Sequence, residues 1–177
     1  KGINTSLRVI PLFICEGEKE LITIDDSSDE HYIVKDKETS YEVENNSFYA
    51  EIGSEKCKTI QLAKISTGEI MEINVFKREY NVSCDGMING YRVGVYPFLK
   101  DKKQRKYDFI EINRETRKIN VSPNYTLEEF RSKPLTDSFP VYIMLDEKIV
   151  HKVEDMIENY RKEHAQFKKF VIMSAYR

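Results

Sequence analysis

Thr59-Ile60-Gln61-Leu62-Ala63-Lys64-Ile65-Ser66-Thr67-Gly68-Glu69-Ile70-Met71-Glu72-Ile73-Asn74-Val75-Phe76 is the stretch that decides the fold of the first half of this chain. Two runs rich in β-branched and apolar residues flank Ser66-Thr67-Gly68, and neither shows sustained helical periodicity. Gly68 supplies a residue that takes positive φ without steric cost, so the stretch reads as two strands joined by a hairpin turn. The same pattern extends toward the N-terminus. Strands are expected at 7–15, 21–24, 32–35, 41–44, 47–52, 59–65 and 69–76, with a second turn at Glu16-Gly17-Glu18-Lys19. Their spacing is that of an all-β, sandwich-like module over residues 1–80.

Beyond residue 80 the pattern changes. Residues 81–121 read as a connector with strands, carrying Gly86, Gly90 and Gly94. Those glycines do not form a phosphate-cradling loop, because such a loop joins a strand to a helix and here residues 91–96 look extended. The basic run 100–106 lacks interleaved aromatics and reads as a solvated loop, and 107–113 reads as a strand. Thr126-Leu127-Glu128-Glu129 has the form of a capping box and predicts a short helix, limited by Pro134. From 146 to 163 the apolar residues Ile149, Val150, Val153, Met156, Ile157 and Tyr160 recur at helical spacing, which predicts one buried and one charged face. Residues 170–173 form a short apolar run expected to be a buried strand beside that helix. The fold class is therefore α+β, with an all-β module followed by a connector and a helix–strand unit.

Composition bounds the function. The 177 residues carry 28 Lys and Arg against 30 Asp and Glu, a net charge of −2, so no global field draws the chain to nucleic acid or anionic lipid. No stretch approaches the roughly 18 consecutive apolar residues of a membrane span. Cys15, Cys57 and Cys84 show no short metal-binding spacing, and three cysteines leave room for one disulfide or none. The sequence starts at Lys1 without an apolar leader, which fits either a mature exported protein or a trimmed chain. Asn-x-Ser/Thr triplets at Asn4, Asn81 and Asn124 are expected by chance in a chain this rich in those residues.

Three segments in order carry a resemblance. Ser174-Ala175-Tyr176-Arg177, following a helix and an apolar run, resembles the Ser-Gly-Tyr-Arg ending of the helix and strand that open the catalytic domain of zinc D-alanyl-D-alanine carboxypeptidases of the VanX and VanY type, with Ala175 in place of Gly. Ser122-Pro123-Asn124-Tyr125-Thr126-Leu127-Glu128-Glu129-Phe130 looks like their Ser-Pro-x-Phe-Thr-Leu-x-x-Phe segment, with Tyr125 in place of Phe. Asp85-Gly86-Met87-Ile88-Asn89-Gly90-Tyr91, with Gly94, Tyr96 and Pro97, is similar to a connector in larger exported members. The resemblance covers residues 85 onward and implies an incomplete peptidase domain over 122–177. It implies a parent protein of the cell envelope or periplasm, acting on peptidoglycan stem peptides. It also implies a catalytic zinc whose bound water is activated by a Glu base. The motif that holds that zinc, Ser-x-His-x-x-Gly-x-Ala-x-Asp, does not occur in these 177 residues, so no metal is expected on this chain. Arg177 is the one catalytic residue that the resemblance assigns here, facing the cleft and stabilising charge on the attacked peptide; otherwise it is a solvated arginine.

The remaining candidates read blandly. His31, His151 and His164 are too scattered for a zinc site, which takes three ligands on neighbouring elements. His151 and Asp155 share a helix face, a spacing more typical of a surface pair than of a metal site. The acidic tip 25–30 lacks the glycine and terminal Glu spacing of a calcium loop and reads as solvated. No serine stands in a Gly-x-Ser-x-Gly elbow, and Cys57 and Cys84 read as core or disulfide residues. The rival reading is a non-catalytic module that docks to cell-wall polymer or to protein through an aromatic sheet face. Oligomeric state is not legible.

Overall fold

The hairpin at the centre of the sequence forms β6 (Cys57–Lys64) and β7 (Ile70–Glu79), paired antiparallel from Cys57↔Phe76 to Ala63↔Ile70. Gly68 takes φ +70° in the turn, and its N–H donates to the Lys64 carbonyl at 2.9 Å. The structure is a computed structural model that describes residues 5–26, 30–79, 87–88, 91–92, 109–131 and 139–173. The other strands are β1 (Val9–Cys15), β2 (Lys19–Thr23), β3 (Tyr32–Asp36), β4 (Thr39–Glu42), β5 (Ser47–Glu51), β8 (Met87–Ile88), β9 (Tyr91–Arg92), β10 (Phe109–Ile112) and β11 (Val141–Ile143). A 3-10 turn covers Leu127–Phe130, and the single described α-helix is α1 (Glu147–Glu163). The class is α+β, with a β-rich N-terminal part.

Seven strands make one sheet in the order β11-β10-β7-β6-β3-β4, with β1 added to β7; β2 and β5 make a second sheet, and β8 and β9 a third. The pairing of β1 with β7 is parallel, Val9↔Glu72 to Cys15↔Arg78. Arg78 pairs with both Cys15 of β1 and Ile110 of β10, so these strands lie on opposite edges of β7. One edge of β7 therefore carries β6 and then β10 in succession. Residues on both sides of the 81–121 stretch share this sheet.

Side-chain alternation along β7 divides the core. Ile73 and Val75 point with Ile14, Ile60, Leu62 and Val34 toward Phe48 and Ala50 of the small sheet, forming one buried cluster. Phe76, on the opposite face, packs with Phe13, Ile110, Ile112, Tyr125, Phe130, Val150 and Ile157 in a second cluster under α1. Asn74 also lies on this face, only 3 % exposed; its amide donates to the Asn120 carbonyl at 2.9 Å and its oxygen accepts from Thr59 at 2.5 Å. Burial without loss of hydrogen bonds is what makes that polar residue tolerable. Where β6 gives way to β10, Lys56 binds Glu79 at 2.7 Å and Glu111 at 2.9 Å.

Three sequence expectations are corrected. Residues 170–173 form no strand: Tyr125 donates to the Phe170 carbonyl at 2.9 Å, and Arg161 donates to the carbonyls of Phe167 and Lys168. Side chains, not a neighbouring strand, satisfy this backbone. Helix α1 buries Val150, Glu154 and Ile157, whereas Ile149, Met156 and Tyr160 stand 40 %, 56 % and 42 % exposed. The stripe that faces the core is rotated from the purely apolar one and includes a glutamate. β11, which pairs with β10 from Ile110↔Ile143 to Ile112↔Val141, was not expected at all. The short helix at 127 is a 3-10 turn, with Thr126 N–H donating to Glu129 at 3.0 Å in the manner of a capping box. No helix among the described residues is long and apolar enough to cross a membrane.

Candidate functional site

Arg177 and Tyr176 lie outside the described residues, as do Cys84, the basic run 100–106, Pro134 and residues 27–29 of the acidic tip. The imidazoles are not brought together. His31 on β3's approach binds Glu42 at 2.6 Å, His151 is half-buried on α1, and His164 caps α1 and stacks on Tyr160 with centroids 4.2 Å apart. Burial pushes the His151 pKa down, outweighing the opposite pull of Asp155, Glu147 and Glu154. Among the described residues no group of three or more His, Cys, Asp or Glu side chains converges in a way that could hold a metal ion. At its described ends the acidic stretch is hydrogen-bonded: Asp26 accepts from Tyr32 at 2.5 Å and from Lys64 at 3.2 Å, and Glu30 accepts from Ser66 at 2.5 Å. Burial pushes the Cys57 thiol up to about 12, so it is an inert core thiol at neutral pH. Ser122 is fully buried and its hydroxyl has no partner, which leaves no base to activate it.

Two adjoining clefts open beside β1. The first, of about 450 Å³, runs along β1 to the start of α1 and is lined by Pro11, Phe13, Leu21, Arg78, Glu147 and His151, among others. Asp146 caps the helix by accepting from Lys148 N–H at 2.8 Å, which aims Glu147 back at the sheet. Glu147 then accepts from the Phe13 N–H at 2.7 Å and from Arg78 at 3.1 and 3.2 Å. An edge strand is blocked in this way: Pro11 offers no donor, and the next outward N–H is occupied by a carboxylate. The second cleft, of about 500 Å³, lies where the two sheets part, with Ile10, Ile22, Ile24, Leu62 and Met71 inside and Arg8, Asp25, Asp26, Tyr32, Lys64 and Glu69 at its mouth.

The 122–130 segment is the hub of the C-terminal part. Asn124 donates from its backbone N–H to Glu154 at 3.1 Å and from Nδ2 at 2.6 Å, and its Oδ1 accepts from Arg161 at 3.0 Å. Lys169 donates to the Asn124 carbonyl at 2.9 Å and to Glu129 at 2.5 Å. Sequence reading missed Glu154 and Glu147. The available signal for Glu154 was position, since it stands four residues after Val150 and three before Ile157. No family model, curated protein or solved structure matches this chain.

Proposed function

We propose that this chain is the N-terminal portion of an exported zinc hydrolase of the peptidoglycan D,D-carboxypeptidase or endopeptidase type, acting on stem peptides in the periplasm or cell envelope. In this reading a sandwich-like β module precedes the opening helix of an α+β peptidase domain. The observation that carries it is the apolar surface of the last described segments: Ile149, Met156 and Tyr160 on α1, and Val171 and Met173 after it, are all 40 % exposed or more. A helix buried on one face and apolar on another is what a domain leaves open where a further layer packs. In this proposal the zinc would be held by a motif beyond Arg177 in the parent protein; among the described residues no three His, Cys, Asp or Glu side chains converge.

A chain extended beyond Arg177 tests the reading. It is expected to hold one tightly bound zinc and to release D-Ala from a peptide ending in D-Ala-D-Ala. Arg177→Ala in that chain should lower kcat roughly 10²- to 10³-fold with zinc content unchanged, because a fixed cation acts on charge present only in the transition state. A stop codon directly after Arg177, or an extended chain without zinc and without D-Ala release, refutes the proposal. The alternative, a non-catalytic module for cell-wall polymer or protein, draws on a different observation. Leu21 and Tyr49 are directly paired across β2 and β5 and stand 51 % and 61 % exposed, a small flat apolar surface on the outer sheet.

A further inference from the structure

The second cleft stands independently of the peptidase reading. Its floor is the core cluster between the two sheets, and a volume of about 500 Å³ is that of a small-molecule site. The polar groups are confined to the mouth and can be sorted by charge. Arg8 is engaged by Glu69 at 3.2 Å, and Lys64 is engaged by Asp26 at 3.2 Å and by Glu30 at 3.5 Å. The Tyr32 hydroxyl also donates to Asp26. Both cations are thus matched, while Asp25 lines the mouth with no lysine or arginine of the described residues beside it. Two cations, Arg8 and Lys64, face three carboxylates, Asp25, Asp26 and Glu69, in its lining, an excess of one negative charge.

We infer that this cleft binds an amphiphilic amine, with an apolar chain lying between Ile10, Ile22, Ile24 and Met71 and its ammonium held at Asp25. The apolar chain gains from leaving water for a floor of aliphatic side chains. An ammonium meets the surplus negative charge without breaking the Arg8–Glu69 or Lys64–Asp26 pair. A carboxylate or phosphate head would have to break one of those pairs to find a cation.

The test titrates the full chain at pH 7 with octylamine, octanol and octanoate, each below its micellar concentration, and follows backbone amide chemical shifts. Octylamine is expected to give saturable shifts at Ile10, Ile22, Ile24 and Met71, with octanoate binding roughly tenfold more weakly. Asp25→Asn, at an exposed position, should weaken octylamine about 2- to 5-fold and leave octanol unchanged. The inference is overturned by shifts that do not saturate or that map elsewhere. Octanoate binding as tightly as octylamine overturns it, and so does an octylamine affinity that Asp25→Asn leaves unchanged.

Discussion

Replacing Glu154 by alanine removes the carboxylate that ties α1 to the 122–130 segment. Glu154 is 4 % exposed and accepts two hydrogen bonds from Asn124, at 3.1 and 2.6 Å. A hydrogen bond to a charged group contributes about 1.5–3 kcal/mol net. Asn124 is itself only half-buried, so water recovers part of the loss, and about 2–4 kcal/mol is the expected destabilisation. For a chain of this size that corresponds to roughly 5–15 °C in Tm. Glu154→Gln retains one acceptor and should cost less, about 1–2 kcal/mol. Glu158→Ala, exposed on the same helix, should stay within about 0.5 kcal/mol of the parent. Urea unfolding of the three variants is the assay. Limited proteolysis adds a local readout, since Asn124 also holds Arg161 and Lys169, and their loss should expose residues 164–173 to cleavage first. A Glu154→Ala variant as stable as Glu158→Ala would show that the carboxylate is not a structural tie and that the other contacts of α1 hold it.

Further outcomes follow from the shifted groups. With its thiol pKa pushed up to about 12, Cys57 should be alkylated at pH 8 roughly 10³-fold more slowly in the native chain than after unfolding, read by mass spectrometry of the Cys57 peptide. Burial raises the Glu111 pKa, but the Lys56, Asn113 and Tyr142 contacts outweigh it and hold the carboxyl below its usual 4.5. Its contribution is therefore present above about pH 4.5 and lost as pH falls through the lower folded value. Glu111→Gln should be less stable than wild type at pH 7 and lose less stability on acidification, measured by urea midpoints. His151, lowered by burial, stabilises the fold while neutral; that contribution is lost as pH falls below 6.5 through its folded value. Its imidazole resonances should titrate with a midpoint under 6.5, and a midpoint at or above that value would remove burial as the dominant effect.

Local signals carried well. The β6–β7 hairpin, the Thr126 and Glu129 cap and the span of α1 all depend on contacts within a few residues, and chain chemistry alone dictates such contacts. The β-rich character of the first half follows for the same reason. Long-range choices were not legible. Parallel pairing of β1 with β7 joins segments about 60 residues apart, and nothing in Val9–Cys15 marks which strand it will adjoin. β11 is three residues long, too short for periodicity to register, and exists because β10 offers an open edge. The apolar run after α1 has strand composition but no strand partner, so Arg161 and Tyr125 take up its carbonyls instead. Composition found part of the buried stripe of α1: Val150, Val153 and Ile157 face the core, while Ile149, Met156 and Tyr160 do not and Glu154 does. An amphipathic pattern specifies that a helix has a buried face. That Glu154 joins the buried face depends on the donors that Asn124 presents to it, a contact across 30 residues that only the folded chain creates.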